Sequence, residues 1–165
     1  MEIPIADICE NIPDEVGKRL TAEVLRLFCD GGLTVRVKDD GSRYRVFCYI
    51  KKSKESVILG TMDKRREFIV QLRVADRSLL DRLGDLPENV RDSMLHGPDC
   101  RGGSCRNCEA AYRFTYDGKA YHKCHTLMCN FIYRNPQEGD IVSIIEMVGN
   151  EIRFSKVGKK RAVTG

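Results

Sequence analysis

The stretch RYRVFCYIK, residues 43–51, alternates in character: Tyr44, Val46, Cys48 and Ile50 occupy the even positions, with Arg45, Phe47 and Tyr49 between them. A strand puts successive side chains on opposite faces, so this segment reads as a strand with one apolar face and one face of cations and rings. The same period recurs on either side. LTVRVK (33–38) places Leu33, Val35 and Val37 together, and EFIVQLRV (67–74) does the same for Phe68, Val70, Leu72 and Val74. SVILG (56–60) supplies a fourth short strand. The joins DDGS and MDKRR are short and turn-like, which predicts an antiparallel meander. Opposite the apolar positions stand Arg36, Lys38, Arg45, Gln71 and Arg73. One face of the sheet is therefore expected to pack on helices and the other to meet water or a ligand.

Helical spacing brackets the meander. Val16, Leu20, Val24, Leu27 and Phe28 predict a helix over 13–29, with Pro13 in its first turn and Gly31-Gly32 as its stop, after a short irregular start. From Asp76 a second helical pattern holds Leu79, Leu80 and Leu83, breaks over 84–87, resumes with Val90, Met94 and Leu95, and ends at Gly97-Pro98. Near the end of the chain Asn135-Pro136 read as an N-cap and first helical residue. Ile141, Ile144, Ile145, Val148 and Ile152 then form one apolar stripe. The fold class expected is α+β: an antiparallel sheet packed against helices, with a cysteine-rich knuckle and β-hairpin towards the C-terminus. The expected organisation is one domain over 1–165. Residues 1–98 carry helix, four-strand meander and broken helix; 99–154 carry the knuckle, hairpin, a strand in LMCNFIY (127–133) and a helix; 155–165 form a basic, frayed tail.

With 165 residues, a hydrophobic share of 42%, a charged share of 32% and a mean hydropathy of −0.36, the chain has the composition of a soluble globular domain. A net charge of +4 and a pI near 8.6 are mildly basic. That is short of the lopsided charge of a strong nucleic-acid binder. The start MEIPIADICENIPDE has no basic segment followed by an apolar run, and no apolar stretch approaches membrane-spanning length. A reducing, cytoplasmic setting is the expectation, and there a tight cysteine cluster signals metal or redox chemistry before structural disulfides.

CRGGSCRNC, residues 100–108, is such a cluster: it places Cys100, Cys105 and Cys108 within nine positions, two glycines letting the loop curl. His122, Cys124, His125 and Cys129 are the candidates for a fourth ligand. The segment AYRFTYDGKAYHKC (111–124) selects among them. With Asp117-Gly118 as a two-residue type I′ turn, Tyr116 faces Lys119, Phe114 faces Tyr121, Arg113 faces His122 and Ala111 faces Cys124. Tyr112, Phe114, Tyr116 and Tyr121 then line a core side, while Arg113, His122 and Cys124 share the other. Cys124 returns beside the knuckle, with His122 as first substitute, while Cys129 reads as a buried thiol before a ligand.

Four thiolates in two groups fit tetrahedral zinc in a closed structural site, with no coordination position left for substrate. Such a site carries a net charge of about −2, and Arg101, Arg106, Arg113 and Lys123 are near in sequence to offset it. An iron–sulfur cluster is the competing metal group, because CxxxxCxxC opens the plant-type ferredoxin pattern, but here only fifteen residues separate Cys108 from Cys124. A redox role for Cys105 and Cys108 would need a strand before the pair and a helix after it, whereas this pair follows a helix stop and precedes a strand. Cys29 and Cys48 read as small core hydrophobes, and Cys9 as unrelated to the cluster.

No GxGxxG, P-loop, GxSxG or HExxH motif occurs. His96 reads as a helix C-terminal histidine. Phe47 and Tyr49, on one face with Arg45 and near Arg36 and Arg73, make a surface able to stack a base or hold an anionic ligand. The segments CRGGSC, CRNC, YDGKAYHKC and NPQEGDIVSIIEMV together resemble a group of uncharacterised small bacterial proteins that end in a CxxxxCxxC and Lys-Cys knuckle. The resemblance covers roughly residues 100–150, supports Cys100, Cys105, Cys108 and Cys124 as a unit, and implies no activity. The functional expectation is a cytosolic, non-enzymatic zinc protein with a binding or regulatory role. A thiol-based redox sensor or enzyme, or an iron–sulfur protein, is the alternative.

Overall fold

The computed structural model describes residues 4–39, 41, 43–50, 56–62, 67–74, 77–100, 111–124 and 131–161, side chains of 62 and 156–161 excepted. Its architecture is α+β. Helix α1 (Ile5–Glu10) leads into α2 (Glu15–Asp30). Strands β1 (Thr34–Asp39), β2 (Tyr44–Tyr49), β3 (Val57–Met62) and β4 (Glu67–Leu72) then form the meander. The broken helix follows as α3 (Ser78–Asp81), a 3-10 turn (Leu83–Asp85) and α4 (Glu88–Leu95). Strands β5 (Tyr112–Tyr116), β6 (Lys119–Lys123) and β7 (Phe131–Arg134) precede the long α5 (Glu138–Arg161).

The described strands make a five-stranded antiparallel sheet in the order β1-β2-β3-β4-β7 and a separate two-stranded ribbon, β5-β6. The register assigns the faces as the alternation requires. Val35, Cys48, Val57, Leu72 and Phe131 form one row across all five strands, and Val37, Val46, Leu59, Val70 and Tyr133 the next. Nearly all of these side chains are fully buried. Helix α2 covers the rows with Leu20, Val24 and Phe28, and α5 with Ile141, Ile144, Val148 and Ile152. Each such side chain taken out of water contributes about 1.5–3 kcal/mol. Over β7 the fit is specific: the Tyr133 hydroxyl donates to Met147 Sδ at 3.3 Å and lies 3.2 Å from the Ser143 hydroxyl. Arg19 of α2 and Glu138 of α5 form an ion pair between the helices.

Several boundaries differ from the sequence expectation for local reasons. Residues 5–10 are helical and pack on α2 rather than irregular. Asp14, not Pro13, opens α2: its backbone is extended and its carboxylate accepts from Gly17 N–H at 2.7 Å. Gly32 closes the helix with φ of 62°, as the double glycine implies. Asn135 is not the cap of α5. It sits at φ 45° with its amide oxygen accepting from Phe68 N–H and its own N–H donating to Phe68 O, clasping β4 beyond the end of β7. The cap falls two residues on, where Asp140 accepts from Gln137 N–H at 2.8 Å. The basic end is helical as far as Arg161 rather than frayed from 155.

Gly60 has φ of 149°, and a Cβ built there would lie 2.0 Å from the Tyr44 carbonyl oxygen, a backbone atom of the neighbouring strand. Gly149, within α5, has open space in the same position. Gly60→Ala is expected to lower unfolding free energy by more than about 2 kcal/mol. Gly149→Ala is expected to raise it by roughly 0.5–1 kcal/mol. Urea titrations of both variants check the pair.

Candidate functional site

The ribbon that carries the candidate ligands has the register read from its turn. Tyr112 pairs with Lys123, Arg113 with His122, Phe114 with Tyr121 and Tyr116 with Lys119. Asp117 and Gly118 have φ of 49° and 71°, the left-handed pair that a type I′ turn demands. Its aromatic side faces inward. The buried Tyr112 hydroxyl donates to Val74 O at 2.7 Å and accepts from Val74 N–H, joining the ribbon to the end of β4. The Tyr112 ring meets Phe131 edge-on at 6.4 Å, and Phe114 stacks on Tyr121 at 5.1 Å. Arg113 and His122 face outward and are exposed.

The free edge of β6 is paired as well. Asp99 bridges Lys123 in antiparallel sense, with Cys100 N–H donating to His122 O at 2.9 Å and Cys124 N–H to Pro98 O at 3.1 Å. Residues 98–100 therefore run alongside β6 as a short third strand. Cys100 stands opposite His122 and diagonal to Cys124 on one face, and diagonal neighbours in such a pair are separated by about 7–8 Å between Cα atoms. Two of the four expected ligands, Cys100 and Cys124, are thus brought together. Cys124 is buried at 4% exposure and Cys100 is half-buried. His122 is no further from Cys100 in register than Cys124 is; what separates the two candidates is burial, since His122 is exposed. Cys105 and Cys108, together with His125 and Cys129, lie outside the described residues. Among the described residues no three His, Cys, Asp or Glu side chains gather at one point.

Lys123 plays a part that spacing did not reveal. It lies on the opposite face of β6 from Cys124, is 5% exposed, and donates from Nζ to Gly97 O and to Asp99 Oδ1, both at 2.8 Å. Its ammonium also lies 5.5 Å from the Tyr121 ring centre. The cation thus anchors residues 97–99 from the face of β6 opposite Cys124. Its place on the aromatic side of an alternating strand signals a buried stem. Asp99, twenty-four residues away, is announced by no local pattern.

The other described cysteines do not join this cluster. Cys48 is fully buried on the core face, where burial, and secondarily nearby Cys29, pushes its thiol far up and leaves it an inert apolar group. Cys29 is exposed near the end of α2, a correction to its reading as a core residue. Cys9 is half-buried in α1, and burial raises its thiol as well. His96 follows α4 with Nδ1 at 3.1 Å from Asp92 O, a helix-terminal contact.

The second candidate surface is the side of the sheet turned away from α2 and α5. Arg36, Phe47, Ile58, Gln71 and Ile132 form one row across the five strands, and Lys38, Arg45, Gly60, Ile69 and Arg134 the adjoining row. The Arg36 guanidinium lies 5.3 Å from the Tyr49 ring centre and that of Arg45 lies 5.5 Å from Phe47. Ile58, Ile69 and Ile132 add an apolar floor that the alternation, read for its charges, did not stress. The chain matches no protein-family model, no curated protein and no solved structure.

Replacing Lys123 by Met keeps the stem but leaves the Gly97 carbonyl without its donor. Lys123→Met is expected to destabilise the fold by about 1–3 kcal/mol. Asp99→Asn, at a carboxylate 73% exposed, is expected to cost less than about 1 kcal/mol. Denaturant unfolding of the two variants measures the difference.

Proposed function

We infer that this chain is a non-enzymatic, cytosolic zinc protein: a binding or regulatory domain whose C-terminal half is stapled by a structural zinc ion. Cys100, Cys105, Cys108 and Cys124 are the proposed ligands. The observation that supports this most is the pairing of residues 98–100 with the end of β6, which sets Cys100 beside Cys124 on one face. The donor set fits the ion. Thiolates are soft ligands, a cysteine pair brought in by paired strands is half of a tetrahedral four-sulfur site, and CRNC offers the other half at a knuckle spacing. A closed four-thiolate site takes no substrate, so zinc here contributes folding energy instead of chemistry.

The staple has a clear mechanical role. The ribbon meets the main sheet through Tyr112 at Val74 and through Phe131, and ten residues separate Cys100 from Ala111 in the sequence. A metal closing that span removes conformational freedom from the unfolded chain and ties the ribbon to the helix that precedes it. With the zinc in place, recognition is left to the protein's surface.

Elemental analysis of protein purified without chelator tests the reading. One zinc per chain is expected, retained by His122→Ala and lost by Cys124→Ser. Metal removal is expected to lower the melting temperature by about 10 °C or more. Unchanged stability on removal would sink the stapling role, retention by Cys124→Ser would overturn the ligand set, and a brown protein containing iron would replace zinc by an iron–sulfur cluster.

A further inference from the structure

We propose that the sheet face opposite the helices is a binding platform for single-stranded nucleic acid. By register and alternation this face carries Arg36, Lys38, Arg45, Arg73 and Arg134 against a single described carboxylate, Glu67, which pairs with Arg134 at 3.2 Å. Arg36 and Lys38 are exposed, while Arg45 and Arg73 are half-buried and engage partners of their own. Between them stand Phe47 and Tyr49, both half-buried, each with an arginine over its ring.

This composition selects its occupant. An acidic peptide would be served by the cations alone, and an apolar partner by Ile58 and Ile132 alone. Rings interleaved with guanidinium groups on an antiparallel sheet match a ligand that alternates flat apolar surfaces with negative charge, which is an unpaired strand of bases on a phosphate backbone. Ile69 on β4 is buried, so the accessible part of the face is its β1–β2 side, where the two rings suit the two or three bases such platforms stack. Bases lie on Phe47 and Tyr49, while Arg36 and Lys38, both exposed at the β1 edge, meet the phosphates. Bases held inside a duplex cannot reach the rings, so double strands are disfavoured. The platform is independent of the zinc site, and its failure would leave that reading intact.

Fluorescence anisotropy with labelled twelve-nucleotide RNA and DNA of the same mixed sequence, and with the corresponding duplex, tests the proposal on the full chain. Binding of at least one single strand is expected, tighter than the duplex by ten-fold or more. The logarithm of affinity should fall with that of salt at a slope of about −2 to −3, from about 0.7 per neutralised phosphate. The RNA and DNA arms identify which strand is preferred. Phe47→Ala with Tyr49→Ala should weaken binding at least about ten-fold. Arg36→Glu, at an exposed position that leaves folding untouched, should weaken it several-fold and flatten the salt slope by about 1. Substituting Lys159, Lys160 and Arg161 together by alanine should leave affinity within two-fold. No anisotropy change at 100 μM protein would overturn the proposal, as would equal binding by wild type and Arg36→Glu, loss of binding in the triple alanine variant, or displacement by polyglutamate as effective as by unlabelled oligonucleotide.

Discussion

Burial of the Val46 and Cys48 side of the sheet beneath α2 and α5 is the contact on which the rest of the molecule depends. A strand that alternates apolar and polar residues can satisfy one face only by covering it, and covering one face commits the other to water. Both long helices are therefore drawn to the same side: α2 through Leu20, Val24 and Phe28, α5 through the Ile141 to Ile152 stripe. The cations and rings of β1 and β2 are left on the outside. The chemistry of the exposed face is thus a consequence of how the core closes.

The C-terminal half solves a different problem. Its ribbon has two strands, too few to be stable alone, and it is held by contacts that reach back to the earlier part of the chain. Tyr112 donates to and accepts from Val74, Phe131 brings β7 onto β4, and the Ser93 hydroxyl accepts from Ile132 N–H. Residues 98–100 add a partial third strand to the ribbon, pinned by the buried ammonium of Lys123. Because this strand follows the end of α4, backbone hydrogen bonds tie the stretch after the helix to the ribbon. A metal held between Cys100 and Cys124 would act on a junction that is already built.

How much of this could be read from residues alone depends on the range over which each feature is decided. The ribbon register was legible because Asp117-Gly118 specifies the turn, and a turn with two left-handed residues leaves no freedom in the pairing that follows. The faces of β1, β2 and β4 were legible because a period of two is a local property. Asp14 and Asn135 were harder. A proline beside each suggested the helix start, yet the cap went to the side chain whose backbone was extended in one case, and in the other Asn135 was claimed by Phe68, sixty-seven residues earlier. Cys29 fits the apolar stripe of α2 in outline, but α2 ends against a turn there and its last residues project into water.

The sequence by itself determined the α+β class, the meander, the two-sided sheet and the candidate ligand set. Each of these follows from periodicity, turn chemistry or spacing within some twenty residues. Tertiary structure alone decided that β7 joins the sheet beside β4, that residues 98–100 pair with β6, and that Lys123 spends its charge on Asp99 and Gly97. Those choices rest on which unpaired edges and buried polar groups find partners once the core has closed. A hydrogen-bonding group carries no mark of a partner that only the folded chain brings within reach.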